Sequence, residues 1–192
     1  MGQDASAGTD SNLRVLQRLI GRLGIDIVRA AAIAHQDSMQ IVALGPTDER
    51  WVVEQAIAAS LRNSFVIVAG DSLPAGSGRV RFELLPRLAI TYGKSVASNI
   101  FGVTSVERTG SVTFEYRLIR GGQNATILRA DTVSASQTDT VAVSDIPSLE
   151  NQAIRASQAK PPSGSFLDSV AEPLIITGTV GTIIYLLFHI RS

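Results

Sequence analysis

Hydrophobic positions change their spacing several times along this chain, and each change marks an element. From Leu13 the apolar residues Leu13, Leu16, Ile20 and Leu23 recur at intervals of three and four, with Arg14, Arg18 and Arg22 on another face. That pattern predicts an amphipathic helix capped by Asp10 or Ser11. Gly21 and Gly24 weaken a helix interior, so a break is expected before Ile25–Ala34, which would add a second, Ala-rich turn or two. Met39–Leu44 reads as a short buried strand stopped by Gly45-Pro46. Thr47-Asp48-Glu49-Arg50 then starts a helix over Asp48–Asn63, with an acidic first turn and a stripe of Val53, Ile57 and Leu61. Phe65–Ala69 follows as an apolar strand. Strand, helix and strand in so few residues predict a small unit of parallel neighbours joined by a crossover.

After a Gly- and Pro-containing loop at Gly70–Gly78 the texture changes. Arg79–Val96, Ser105–Ile119 and Thr126–Val143 are long and rich in Val, Thr, Ile, Phe and Tyr, as antiparallel strands are. Val112, Phe114, Tyr116 and Leu118 alternate with Thr113, Glu115 and Arg117, which predicts one face on the core and one in water. The Gly121-Gly122-Gln123-Asn124 turn predicts a hairpin into Thr126–Val133. Pro86 lacks an amide proton, so its segment should be an edge strand or be bulged there. Beyond Pro147, residues 148–165 are dominated by Gln, Ala, Lys, Pro, Ser and Gly, a linker by content, with a short helix expected near Leu149–Ala156.

The last stretch, Pro173–Ile190, carries no Asp, Glu, Lys or Arg and is closed by Arg191-Ser192. About 18 such residues approach the length needed to cross a bilayer core, so the reading is a single-pass C-terminal membrane anchor. Thr177 with Gly181, and Gly178 with Thr182, place small residues four apart, the spacing that lets two membrane helices approach closely. Arg191, taken as cytoplasmic, puts the preceding domain in the periplasm; a cytoplasmic domain is the alternative. The expected organisation is a polar tail (1–11), an N-terminal helical segment (12–35), an α+β body (36–147), a linker (148–172) and a transmembrane anchor (173–190). The fold class is α+β, a small strand–helix–strand unit plus long antiparallel strands in one sheet.

Composition narrows the chemistry. The 192 residues hold 17 basic and 17 acidic side chains, so no net positive field points to nucleic acid. There is no cysteine, and of two histidines His189 lies in the expected anchor, leaving His35, a candidate helix cap. Cys-based metal sites, thiol nucleophiles and a Ser-His-Asp triad lack material, and no cofactor is implied. Gly93-Lys94-Ser95 lacks the earlier glycine and the helix of a phosphate loop, and Gly76-Ser77-Gly78 lacks the third glycine of a dinucleotide fingerprint. Asn124-Ala125-Thr126 is a glycosylation sequon in form. Glu107, Glu115, Asp131, Asp139 and Asp145 are candidate acid–base carboxylates, more often solvated on a half-exposed sheet. Trp51, the one tryptophan, is expected in a core or staple contact.

From Val53–Ile67 through Gly110–Asp131, the order of elements resembles a family of bacterial envelope domains that includes the curli secretion-channel lipoprotein and the lipoprotein activators of penicillin-binding proteins. The resemblance spans residues 39–145 and rests on pattern. It implies a domain that makes ring or regulatory contacts and has no active site, and it carries over no site residues. This chain departs from the family in having no lipid-accepting cysteine and a C-terminal helix as anchor. The expectation is therefore a non-enzymatic, membrane-anchored protein that binds the lipid bilayer through its end and a protein partner, or its own copies, through its sheet. The alternative is a tail-anchored cytosolic enzyme or small-ligand binder with Gly70–Gly78 as a lid.

Overall fold

A computed structural model of the chain describes residues 9–33, 38–68, 79–99, 102–121 and 125–160. The amphipathic pattern that starts at Leu13 folds as one uninterrupted helix, α1 (Asn12–Ala30), with Ser11 as its N-cap. The break expected at Gly21 and Gly24 does not occur. A Cβ at Gly21 would stand 3.3 Å from Ser60 Cβ, and one at Gly24 would stand 3.3 Å from two Ile57 carbons. Both glycines lie where a second helix, α2 (Thr47–Leu61), crosses α1. The bareness that costs helix propensity is what lets the two backbones approach, and tertiary packing overrides the local preference.

The strand–helix–strand unit forms as expected: β1 (Ser38–Ala43), α2 and β2 (Val66–Val68), with β1 and β2 parallel. Three long strands follow, β3 (Arg79–Asn99), β4 (Gly102–Arg120) and β5 (Thr126–Ala142). They pair antiparallel in sequence, while β3 also takes β1 as a parallel neighbour, so one sheet runs β2-β1-β3-β4-β5. The fold is a mixed α+β architecture, with a five-stranded sheet and three helices among the described residues.

Period-two alternation decides which side chains meet the helices. Val80, Phe82, Leu84, Ile90 and Tyr92 of β3, and Val106, Val112, Phe114, Tyr116 and Leu118 of β4, are buried. Against them stand Val15, Leu16, Leu19, Leu23 and Ile27 of α1 and Val52, Val53 and Ile57 of α2. Phe82 and Tyr116 meet edge to face at 6.0 Å. Trp51, expected in a core or staple contact, is instead 48 % exposed, because the inward stripe of α2 runs through Val52, Val53, Ala56 and Ile57 and leaves Trp51, Gln55 and Ala59 facing out.

Pro86 explains itself through register. β1 spans only Arg79–Leu84 of β3, and the Leu84 carbonyl accepts from the Leu44 amide at 2.7 Å, so Leu84 points toward β1. Two residues on, Pro86 points the same way, just past the end of β1, while its pairing with Phe114 continues without a bulge. The central strand becomes an edge strand at the residue that has no amide proton.

Residues 148–160, expected as linker, pack on the body: Leu149, Ile154, Ala156 and Ser157 are buried around helix α3 (Ile146–Leu149) and a 3-10 turn at Arg155–Ser157. The packed body therefore includes residues 148–160. Among the described residues no helix is long and apolar enough to cross a membrane. The expected anchor at 173–190, with Thr177, Gly178, Gly181 and Thr182, lies outside the described residues, as do His35, residues 122–124 of the turn and the whole Gly70–Gly78 loop.

Candidate interaction surface

Among the described residues the sheet has three stretches of edge, and two of them are short or interrupted. β2 is three residues long, and the open part of β3 carries Pro86, Lys94 and register shifts between Tyr92 and Ser98. Short strands, proline, lysine and bulges are the devices that discourage pairing with another chain. β5 has no proline, lysine or bulge along Arg129–Ala142, which pairs with Ser105–Leu118 of β4 without a shift, the bulge falling before it between Leu118 and Ile119; its charges, Arg129, Asp131 and Asp139, are all paired on the helix side.

The direction of the β5 backbone follows from one contact. The Thr132 amide donates to its neighbour Asp131 Oδ1 at 2.8 Å, so it points away from β4. By alternation the amides and carbonyls of Thr132, Ser134, Ser136, Thr138 and Thr140 all point outward. The side chains of these same residues are exposed on the sheet face opposite the helices. They continue a hydroxyl row onto β4, where Thr109 and Thr138 Oγ1 atoms lie 3.0 Å apart. The intervening residues, Asp131, Val133, Ala135, Gln137 and Asp139, sit on the helix side.

Behind the edge stands a buried polar cluster. Arg108, on the inward row of β4, is 1 % exposed. Its Nε donates to Asp139 Oδ1 at 2.8 Å, Nη2 to Asp139 Oδ2, and Nη1 to the Asp10 carbonyl at 2.7 Å and Asn12 Oδ1 at 2.9 Å. Asn12 Nδ2 donates in turn to the Tyr92 hydroxyl and the Ser157 carbonyl, both at 2.8 Å. Burial pushes the Tyr92 phenol above its ordinary range, and the hydrogen bond from Asn12 offsets part of that. Gly110 makes the arrangement possible: a Cβ there would stand 2.8 Å from Val15 Cγ1, so α1 can lie close enough for Asn12 to reach Arg108.

Of the candidate carboxylates, Asp139 belongs to this cluster, Glu115 pairs with Arg87 and Asp131 with Arg129. Glu115 and Asp131 border one open depression with Glu83 and Arg117, where Glu83 already holds Arg81 and Arg117. Asp145 accepts from Ser144, and Glu107 lies on the outer face opposite Thr140. The fold thus brings two of the five to one depression, separates the other three and pairs Glu115, Asp131 and Asp139 with arginine. Among the described residues no group of three or more His, Asp or Glu could hold a metal ion. Gly93-Lys94-Ser95 lies within β3, without the helix that a phosphate loop requires.

Arg108 escaped the sequence reading, although a signal existed: the inward row Val106, Arg108, Gly110, Val112 breaks its apolar pattern with a charge and a glycine. No protein-family model matches this chain, and no curated protein is significantly similar to it.

Proposed function

We propose that this chain is a non-enzymatic, membrane-tethered envelope protein whose folded body is a protein-binding module, held by the apolar run at 173–190 with the body on the periplasmic side. The observation that carries the binding role is β5, an edge strand of 17 residues with outward-pointing backbone and no proline or lysine. An edge of this kind supplies backbone hydrogen bonds to an added strand, while the alternate side chains select it. The charge-free run Pro173–Ile190 supports the tether, and the small pairs Thr177/Gly181 and Gly178/Thr182 support helix packing within the bilayer. The order of elements, like that of the envelope domains of curli secretion and cell-wall synthase activation, supports a contact-making role. Two measurements test the reading. Protease added to spheroplasts should remove the body while leaving a membrane-protected fragment, and cross-linking in membranes should trap the body to a protein. A body protected from external protease overturns the placement; a body that stays monomeric and traps nothing overturns the binding role.

A further inference from the structure

We infer that the strand received by the β5 edge is β5 of a second copy, antiparallel, about a two-fold axis at Ser134. This rests on the binding role proposed above and names its partner. In an antiparallel pair about a two-fold, opposing residue numbers have a constant sum, and each register makes different pairs. Centring on Ser134 overlaps the whole of Thr126–Ala142 with itself, because Ser134 is the midpoint of the strand. It also sets Arg129 of each copy opposite Asp139 of the other, in positions where side chains approach most closely. Arg129 is 40 % and Asp139 34 % exposed, so Arg129 can turn from Asp131 and the Ala30 carbonyl to the partner's Asp139 while that carboxylate keeps Arg108. Moving the axis to Ala135 would instead oppose Asp131 with Asp139, two like charges. On the outer face the Ser134 register brings hydroxyls together, Ser134 with Ser134 and Thr132 with Ser136. The Thr132 amide exchanges its bond with Asp131 for a cross-strand carbonyl.

The helix layer permits the same arrangement. α1 packs across both β4 and β5. With strands spaced about 4.8 Å apart, the two α1 helices would run roughly 10 Å from each other on one face of the joined sheet. That is the distance at which helices pack side by side.

The chain contains no cysteine, so one introduced thiol reports the register without background. In full-length protein in membranes, Ser134→Cys places two thiols at a hydrogen-bonded antiparallel pair, with Cα atoms about 5.5 Å apart, within disulfide reach. Thr138→Cys pairs opposite Ala130, leaving its two copies about 27 Å apart. The expected result is oxidant-dependent dimer from Ser134→Cys and none from Thr138→Cys. Ser134→Pro, whose lost amide faces away from β4, should lower the dimer at least tenfold in cross-linking of the intact chain and keep the circular dichroism of the folded body. No disulfide dimer from Ser134→Cys, or equal dimer from both cysteines, overturns the pairing. If Ser134→Cys stays monomeric while wild-type chain is trapped to a different protein, the self-pairing falls and the binding role stands; if nothing is trapped, both fall.

Discussion

Arg108 grips both carboxylate oxygens of Asp139 across β4 and β5, with Nε to Oδ1 at 2.8 Å, and does so with its guanidinium almost wholly out of water. Such a pair costs desolvation, and its two further bonds, to Asp10 and Asn12, offset part of that cost. Removing one partner strands the other. Asp139→Leu is expected to lower unfolding free energy by about 3 kcal/mol, the low end for a broken buried pair because Asp139 keeps contact with solvent. Adding Arg108→Met to it should recover part of the loss. Urea denaturation of the single and double variants measures this, and a double variant less stable than the sum of the singles would refute it.

Tyr92 gives the cluster an alkaline signature. Its pKa is raised in the folded body, chiefly by burial. A raised value means the neutral phenol is favoured by folding. The contribution is therefore present below the ordinary phenol pKa of about 10 and lost as pH rises through the folded value. Thermal stability of the wild type should fall more steeply above pH 10 than that of Tyr92→Phe. At neutral pH Tyr92→Phe should cost about 1 kcal/mol for the lost acceptor of Asn12.

Three glycines should respond to alanine in order of the space around them. Gly110→Ala forces a methyl to 2.8 Å from Val15 and should destabilise by about 1–3 kcal/mol, with α1 shifted off β4. Gly24→Ala gains up to about 1 kcal/mol of helix propensity, but meets the fully buried Ile57 at 3.3 Å, which has no solvent side to move into. Its net effect should be a smaller loss than at Gly110, and Gly21→Ala should behave similarly against Ser60. Melting curves of the three variants would show a different order if α1 and α2 did not meet at this seam.

Ile154 tests whether the segment after Pro147 belongs to the folded body. In a linker its side chain would contribute almost nothing, whereas here it is buried to within 1 %. Ile154→Ala should cost about 2–5 kcal/mol, as truncation of a packed aliphatic does. Chemical denaturation decides between the two.

Much of this architecture was legible in the chain because it rests on period. The helix stripe of Val53, Ile57 and Leu61 and the alternation of Val112–Leu118 specify element type and buried face, and the fold follows both. What escaped is what depends on contacts distant in sequence. Gly21 and Gly24 read as breakers until α2 stands against them. Ser157 reads as linker until Asn12, 145 residues away, holds its carbonyl. Trp51 looked like core because it is large and apolar, yet its side of α2 is turned to water. The β5 edge was anticipated only as long exposed strand; that its outward backbone belongs to the Ser and Thr row needed the Thr132 amide and the β4 register.

The bond from Asn12 to Ser157 brings the first and last described stretches of the chain together at one pole. Asp10 and Lys160 each lie within a few residues of that bond, a reach of about 10 Å or less for extended backbone. A short peptide could therefore join Asp10 to Lys160 without disturbing a strand or the Arg108 cluster.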